Sequence, residues 1–134
     1  MNAVLWTLQV VLALHTTAGA LWKLANSERA TLTLGAIPHD VWLALSVFEL
    51  LCVAGLVVPV FVRRLAVLVP LAIAGIAAEM LGFIAVHLAT GHPLDGQVAY
   101  WTVVAVFCAF IAYGRVALRP LGLQRGDLTR RAGA

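Results

Sequence analysis

The chain has 134 residues, 63% of them hydrophobic and 11% charged, with a formal net charge of +3. A soluble domain carries about 25% charged residues, so this composition excludes a water-coated globule; with mean hydropathy +0.99 it fits one compact membrane bundle. The positive charge does not mark a nucleic-acid binder either. Arg63 and Arg64 stand between apolar runs, and Arg115, Arg119, Arg125, Arg130 and Arg131 follow the last one, a placement that sets membrane topology.

The first apolar run predicts a spanning helix over about 3–24, with His15 inside it, Lys23 near its far end, and Trp6 and Trp22 as interfacial anchors. Ala18-Gly19-Ala20 mimics a signal-peptide cleavage site, but no basic residue precedes the run and the run is too long for an h-region. The stretch 25–40 is a connection in which Asn26 and Ser27 offer the start of a short amphipathic surface helix near 27–35. Pro38 ends it and Asp40 can cap the next helix. A second span is expected at about 41–62, with Ser46, Glu49 and Cys52 three residues apart and Pro59 near its end, where a lost backbone bond costs least.

Arg63-Arg64 turns into a third span at about 65–87, which carries Glu79 near its middle and His87 at its close. Gly75, Glu79 and Gly82 fall on one helical stripe, where a neighbouring helix can approach closely. The Gly-, Pro- and Asp-containing segment 89–97 reads as a loop, and a fourth span is expected at about 98–118 between Tyr100-Trp101 and Tyr113. The expected architecture is therefore all-α: a polytopic four-helix membrane bundle over 1–118 with a basic tail over 119–134. Four spans put both ends on one side, and the excess of arginine there predicts that both termini are cytoplasmic. Lys23 is the single lysine among nine basic residues, a composition associated with GC-rich bacterial genomes, so a bacterial inner (cytoplasmic) membrane is the expected location.

A carboxyl at the centre of a spanning helix costs roughly 2.5–3.5 kcal/mol on insertion scales, so it belongs in a bundle interior or wet cavity. By helical rise His15, Glu49 and Glu79 lie about 12–15 Å below the outer ends of their spans. Lys23 and His87 sit nearer the surface in the same half, while the inner half is expected to hold almost no ionisable group. Three explanations stay open. The acids, with Lys23 or His15, hold the bundle in one arrangement; or they form an outward-facing polar pocket that handles protons or orients a ligand; or two Glu and a His bind metal. The last lacks the supporting Glu-x-x-His spacing, so no metal is assigned. His15, Lys23, Glu49, Glu79 and His87 are the candidate site residues. His39 and His92 read as loop histidines, Cys52 and Cys108 as buried small hydrophobes, and Arg63-Arg64 as topology determinants that also meet anionic lipid. No Walker loop, dinucleotide fingerprint, nucleophile elbow or HExxH is present.

Several short motifs, taken in order, resemble the DoxX-like family of small membrane proteins. They are Ala18-Gly19 with Lys23-Leu24, Leu34-Gly35 with Pro38, Glu49-Leu50 with Gly55 and Pro59, Met80-Leu81-Gly82 with His87, and Tyr113-Gly114-Arg115. Cys52 stands where the family's second helix usually has its first glycine. The resemblance implies a four-helix membrane bundle with Lys23 and Glu49 as family-typical positions and Glu79 as a less typical one. The resemblance alone implies little about activity, since relatives include both subunits of quinone-linked redox complexes and assembly factors. Together with the outer-half cluster of His15, Lys23, Glu49 and Glu79 it leads to the expectation of an accessory subunit of a membrane redox or oxidative-stress system, contacting quinone, rather than an enzyme on its own. Its expected surroundings are the lipid bilayer and a membrane-protein partner or second copy. Two alternatives accompany it: a non-catalytic assembly factor or chaperone, and a small proton-coupled carrier, which would need a dimer for alternating access.

Overall fold

The computed structural model describes residues 2–26 and 36–118. The surface helix expected near 27–35 and the basic tail over 119–134 lie outside the described residues. Four long helices run in order: α1 over Asn2–Ala25, α2 over His39–Phe61, α3 over Leu68–Ala89 and α4 over Gly96–Tyr113. Each is long and apolar enough to cross a membrane. The chain is a four-helix membrane bundle with up-down-up-down connectivity.

Each helix buries one narrow stripe and leaves the rest of its circumference apolar and exposed, the inverse of a soluble bundle's polar coat. On α2 the stripe is Trp42, Ser46, Glu49, Cys52, Leu56 and Pro59. On α4 it is Val98, Trp101, Val104, Cys108 and Ile111. These steps of three and four residues keep one seam of each helix facing its neighbours. Residues such as Leu14, Leu51, Leu71 and Val103 point outward, where lipid takes the place of water. Helix α1 packs along α2, α2 along α3 and α3 along α4; the α1–α4 seam is the sparsest.

Local chemistry sets the ends. Helix α3 stops in a two-bond C-terminal cap: Gly91 adopts φ +79, its N–H donates to Leu88 and that of His92 donates to His87. Only glycine takes this left-handed position without steric cost. Asp95 caps α4, its Oδ1 accepting from the backbone N–H groups of Gln97 and Val98. Asp40 does not cap α2. Pro38 occupies the cap position, and Asp40 lies inside the first turn, where its charge suits the positive helix end. The α2–α3 turn takes up more chain than expected: Arg63–Leu65 form a 3-10 turn and α3 begins at Leu68.

The small-residue stripe on α3 is tight at one end only. A Cβ on Gly75 would fall 2.9 Å from Phe48 Cζ and 3.1 Å from Cys52 Sγ, so α2 and α3 meet closely there. Gly82, two turns higher, has nothing within 4 Å. The expected stripe of close approach therefore does not reach it.

Candidate functional site

Lys23 is the hub. Its Nζ donates to Glu79 Oε1 at 2.6 Å and lies 3.1 Å from Glu49 Oε1, so one ammonium bridges carboxylates from α2 and α3. Lys23 is 6% exposed, Glu49 4% and Glu79 7%. Side chains on a helix lean toward its N-terminus. That tilt carries Lys23 down from the end of α1, away from the surface to which a lysine would ordinarily snorkel. The ammonium also stands 4.5 Å from the Phe83 ring centroid and 5.2 Å from that of Trp42, within cation–π range of both.

Above this cluster is a cavity of about 300 Å³, walled by Trp22 and Lys23 of α1, Trp42 and Glu49 of α2, Met80 and Phe83 of α3, and Gln97, Tyr100 and Trp101 of α4. Trp42, Phe83 and Trp101 form a chain of rings with centroids 6.2 and 5.7 Å apart. The two acids have different places: Glu49 is part of the wall, whereas Glu79 stands behind Lys23 at the shorter contact. Three polar atoms here are buried without a hydrogen-bond partner, namely Glu49 Oε2, Glu79 Oε2 and Trp42 Nε1. Orphaned polar groups in a low-dielectric interior are costly. Of these, Glu49 Oε2 and Trp42 Nε1 belong to residues that line the cavity, so one unpartnered acceptor and one unpartnered donor stand at its wall.

The other expected members fall elsewhere. His15 does not join the acids. It is exposed on the outer side of α1 and pairs through Nε2 with Tyr100 Oη at 2.7 Å, across the α1–α4 seam. Equal depth suggests a place beside Glu49 and Glu79, but depth leaves the angle around the helix open, and His15 is off the stripe of Leu12, Thr16 and Lys23. His87 is fully buried, with Nε2 at 3.1 Å from the Pro93 carbonyl and 3.5 Å from Asp95 Oδ1. Its ring stands edge-on to Trp101 at 5.5 Å, so it buttresses the cavity wall from behind. Trp101 turns inward, while its neighbour Tyr100 and Tyr113 at the other end of α4 are exposed.

A second polar site lies at the opposite end of the bundle, against the expectation of an inner half almost free of ionisable groups. Arg115, in a π-helical turn over Gly114–Leu118, is 2% exposed. Its Nη2 donates to Gln9 Oε1 at 2.8 Å, and Gln9 Nε2 donates to the Leu56 carbonyl at 2.6 Å. The sequence carries a signal for this. Arg115 continues the 3-4-3-4 steps of Trp101, Val104, Cys108 and Ile111, so it belongs to the buried seam despite its charge.

With Lys23, Glu49, Met80-Leu81-Gly82 and Gly114-Arg115 in place on four antiparallel helices, the comparison with known families is direct. A family model described as DoxX-like family matches residues 7–111. The chain belongs to the DoxX-like family. No curated protein and no solved structure matches it. The match takes in the helices that carry Lys23, Glu49, Glu79 and Tyr100, so the ion cluster and the cavity wall of this DoxX-like chain are built within the family's segment; Arg115 lies just beyond the matched residues.

Proposed function

We propose that this DoxX-like membrane protein is an accessory subunit of a membrane redox system, whose cavity receives the ring of a quinone from the bilayer. The observation that carries the reading is the division of labour around Lys23. Glu79 serves as its close counter-ion, which leaves Glu49 facing the cavity with one carboxylate oxygen unpartnered. Trp42, Phe83 and Trp101 offer apolar faces for a flat ring. Trp42 Nε1 and Lys23 can donate to ring carbonyls, and Glu49 can accept from the hydroxyls of the reduced form. A quinone takes up two electrons and two protons on reduction; in this reading the electrons come from a partner protein. This chain orients the ring and passes one of the two protons through Glu49, the other arriving with the electrons from the partner. Entry from the bilayer is supported by the sparse α1–α4 seam, where Tyr100 both walls the cavity and reaches the surface.

In the same proposal both termini face the cytoplasm of a bacterial inner membrane. Arg64 is exposed at the α2–α3 turn, whereas Lys23 at the opposite end is spent in the ion cluster. The cytoplasmic ends therefore hold the free positive charge among the described residues. The test is the lipid extract of the purified full-length protein, analysed by mass spectrometry. Quinone should be enriched over the bulk membrane ratio in the native protein and lost in Glu49→Gln, which should still accumulate as folded protein. An extract without enrichment in the native protein overturns the reading, and a Glu49→Gln variant that fails to accumulate assigns the acid to the fold.

A further inference from the structure

The Arg115 site poses a separate question of charge. Arg115 Nε and Nη1 are buried and have no hydrogen-bond partner. Among the described residues no carboxylate pairs with the guanidinium. Its polar partner is the neutral amide of Gln9, and the Trp6 ring centroid lies 4.3 Å from Cζ. A buried cation without a counter-charge is strongly unfavourable, and arginine is the side chain that can least escape by losing its proton. The arrangement nonetheless fixes the guanidinium closely: Nη2 is anchored on Gln9 and one ring covers a face. Nε–H on one edge and Nη1–H on the other stay unmatched, and each edge is one that a phosphate or carboxylate oxygen can meet.

Position narrows the choice. Arg115 is at the end of α4, and Gln9 and Leu56 lie about 8–10 Å inside the ends of α1 and α2. This is the end that carries Arg63 and Arg64, where a charged side chain can draw a lipid headgroup inward by local thinning of the bilayer. We infer that Arg115, held by Gln9 and covered by Trp6, is a binding site for a phosphate anion at the end of the bundle opposite the Lys23 cavity. The phosphate is that of an anionic lipid headgroup or free phosphate. Trp6 is half-buried on α1 and lies over the guanidinium face, so binding an anion at Nε or Nη1 requires side chains here, its indole among them, to move.

The test uses the full chain in a maltoside detergent, which brings no phosphate of its own. Phosphatidylglycerol, phosphatidylcholine and inorganic phosphate are titrated separately, with bound lipid read by native mass spectrometry and the indole by fluorescence. Phosphatidylglycerol should bind about tenfold more tightly than phosphatidylcholine and shift the emission, the shift vanishing in Trp6→Phe. Arg115→Gln should lose the preference, while Arg64→Gln, altered at an exposed arginine of the same end, should keep it. Saturable binding of inorganic phosphate that competes with the lipid identifies the free ion as a source and supports the site equally. Equal binding of the two lipids by the native protein overturns the inference, as does a preference unchanged in Arg115→Gln. Should Arg115→Gln not fold, the native lipid comparison and the Trp6→Phe variant decide the matter.

Discussion

Replacing Lys23 by Met is the perturbation that most sharply tests the ion cluster. Methionine keeps the length and the apolar stem but removes the ammonium that holds Glu49 Oε1 at 3.1 Å and Glu79 Oε1 at 2.6 Å. All three side chains are almost wholly buried, so bulk water cannot take over the neutralisation. Removing one partner of a buried ion pair costs about 3–5 kcal/mol in soluble proteins. Polar contacts between membrane helices are worth less, on average about 0.6 kcal/mol with a maximum near 1.7. Here one cation serves two acids and two aromatic faces, so a loss of about 3 kcal/mol is expected at alkaline pH. The sign of the pH dependence is set by which species is stranded. Two unpaired carboxylates are worst when ionised, so the deficit is largest at high pH and shrinks as pH falls and protons replace the ammonium. The double variant Lys23→Met with Glu79→Gln removes one stranded charge and should recover at least half of the loss. Unfolding by sodium dodecyl sulfate in mixed micelles, followed by circular dichroism from pH 5 to 9, measures all three proteins. A loss below about 1 kcal/mol that does not change with pH would refute the reasoning, because the cluster would then be solvated rather than buried.

Two further predictions concern the frame that positions the site. Gly75→Ala should destabilise the bundle by about 1–3 kcal/mol through overpacking against Phe48 and Cys52, whereas Gly82→Ala, facing open space, should be neutral or stabilising by about 0.5–1 kcal/mol; the same unfolding assay separates them. Asp95→Ala should cost about 0.5–2 kcal/mol by uncapping α4, with Asp95→Asn retaining most of the stability, and amide hydrogen exchange at Gln97 and Val98 locates the loss.

Much of the frame is legible in the sequence because the bilayer simplifies the code. Apolar length alone marks a span, as with the run that starts at Val98, and loop chemistry such as Gly91 and Asp95 marks the ends. The family can be read from motifs such as Ala18-Gly19 with Lys23, Glu49-Leu50 and Met80-Leu81-Gly82 in their order, all within the matched segment. What the sequence conveys poorly is azimuth. In a soluble helix the polar face reveals the buried one by contrast, but here both faces are apolar, and depth has to stand in for direction. Depth alone puts His15 beside Glu79, while the stripe of Leu12, Thr16 and Lys23 points elsewhere. Snorkelling, the usual behaviour of a lysine, puts Lys23 near the surface; the tilt of side chains toward the helix N-terminus reverses it at this end of α1. The charge of Arg115 suggests a topology marker, whereas its place on the 3-4-3-4 seam assigns it to the interior. Gly82 shares its stripe with Gly75, yet spacing along one helix carries no information about how far the next helix has diverged.

The Glu49 wall is tested most directly by titrating the purified protein with a short-tailed benzoquinone while following tryptophan emission, since Trp42 and Trp101 face the cavity. Saturable quenching is expected in the native protein, with binding weakened about tenfold in Glu49→Gln at unchanged helical content, the loss of one charge-assisted hydrogen bond. Quenching that rises linearly without saturation, or that is identical in the two proteins, would contradict this.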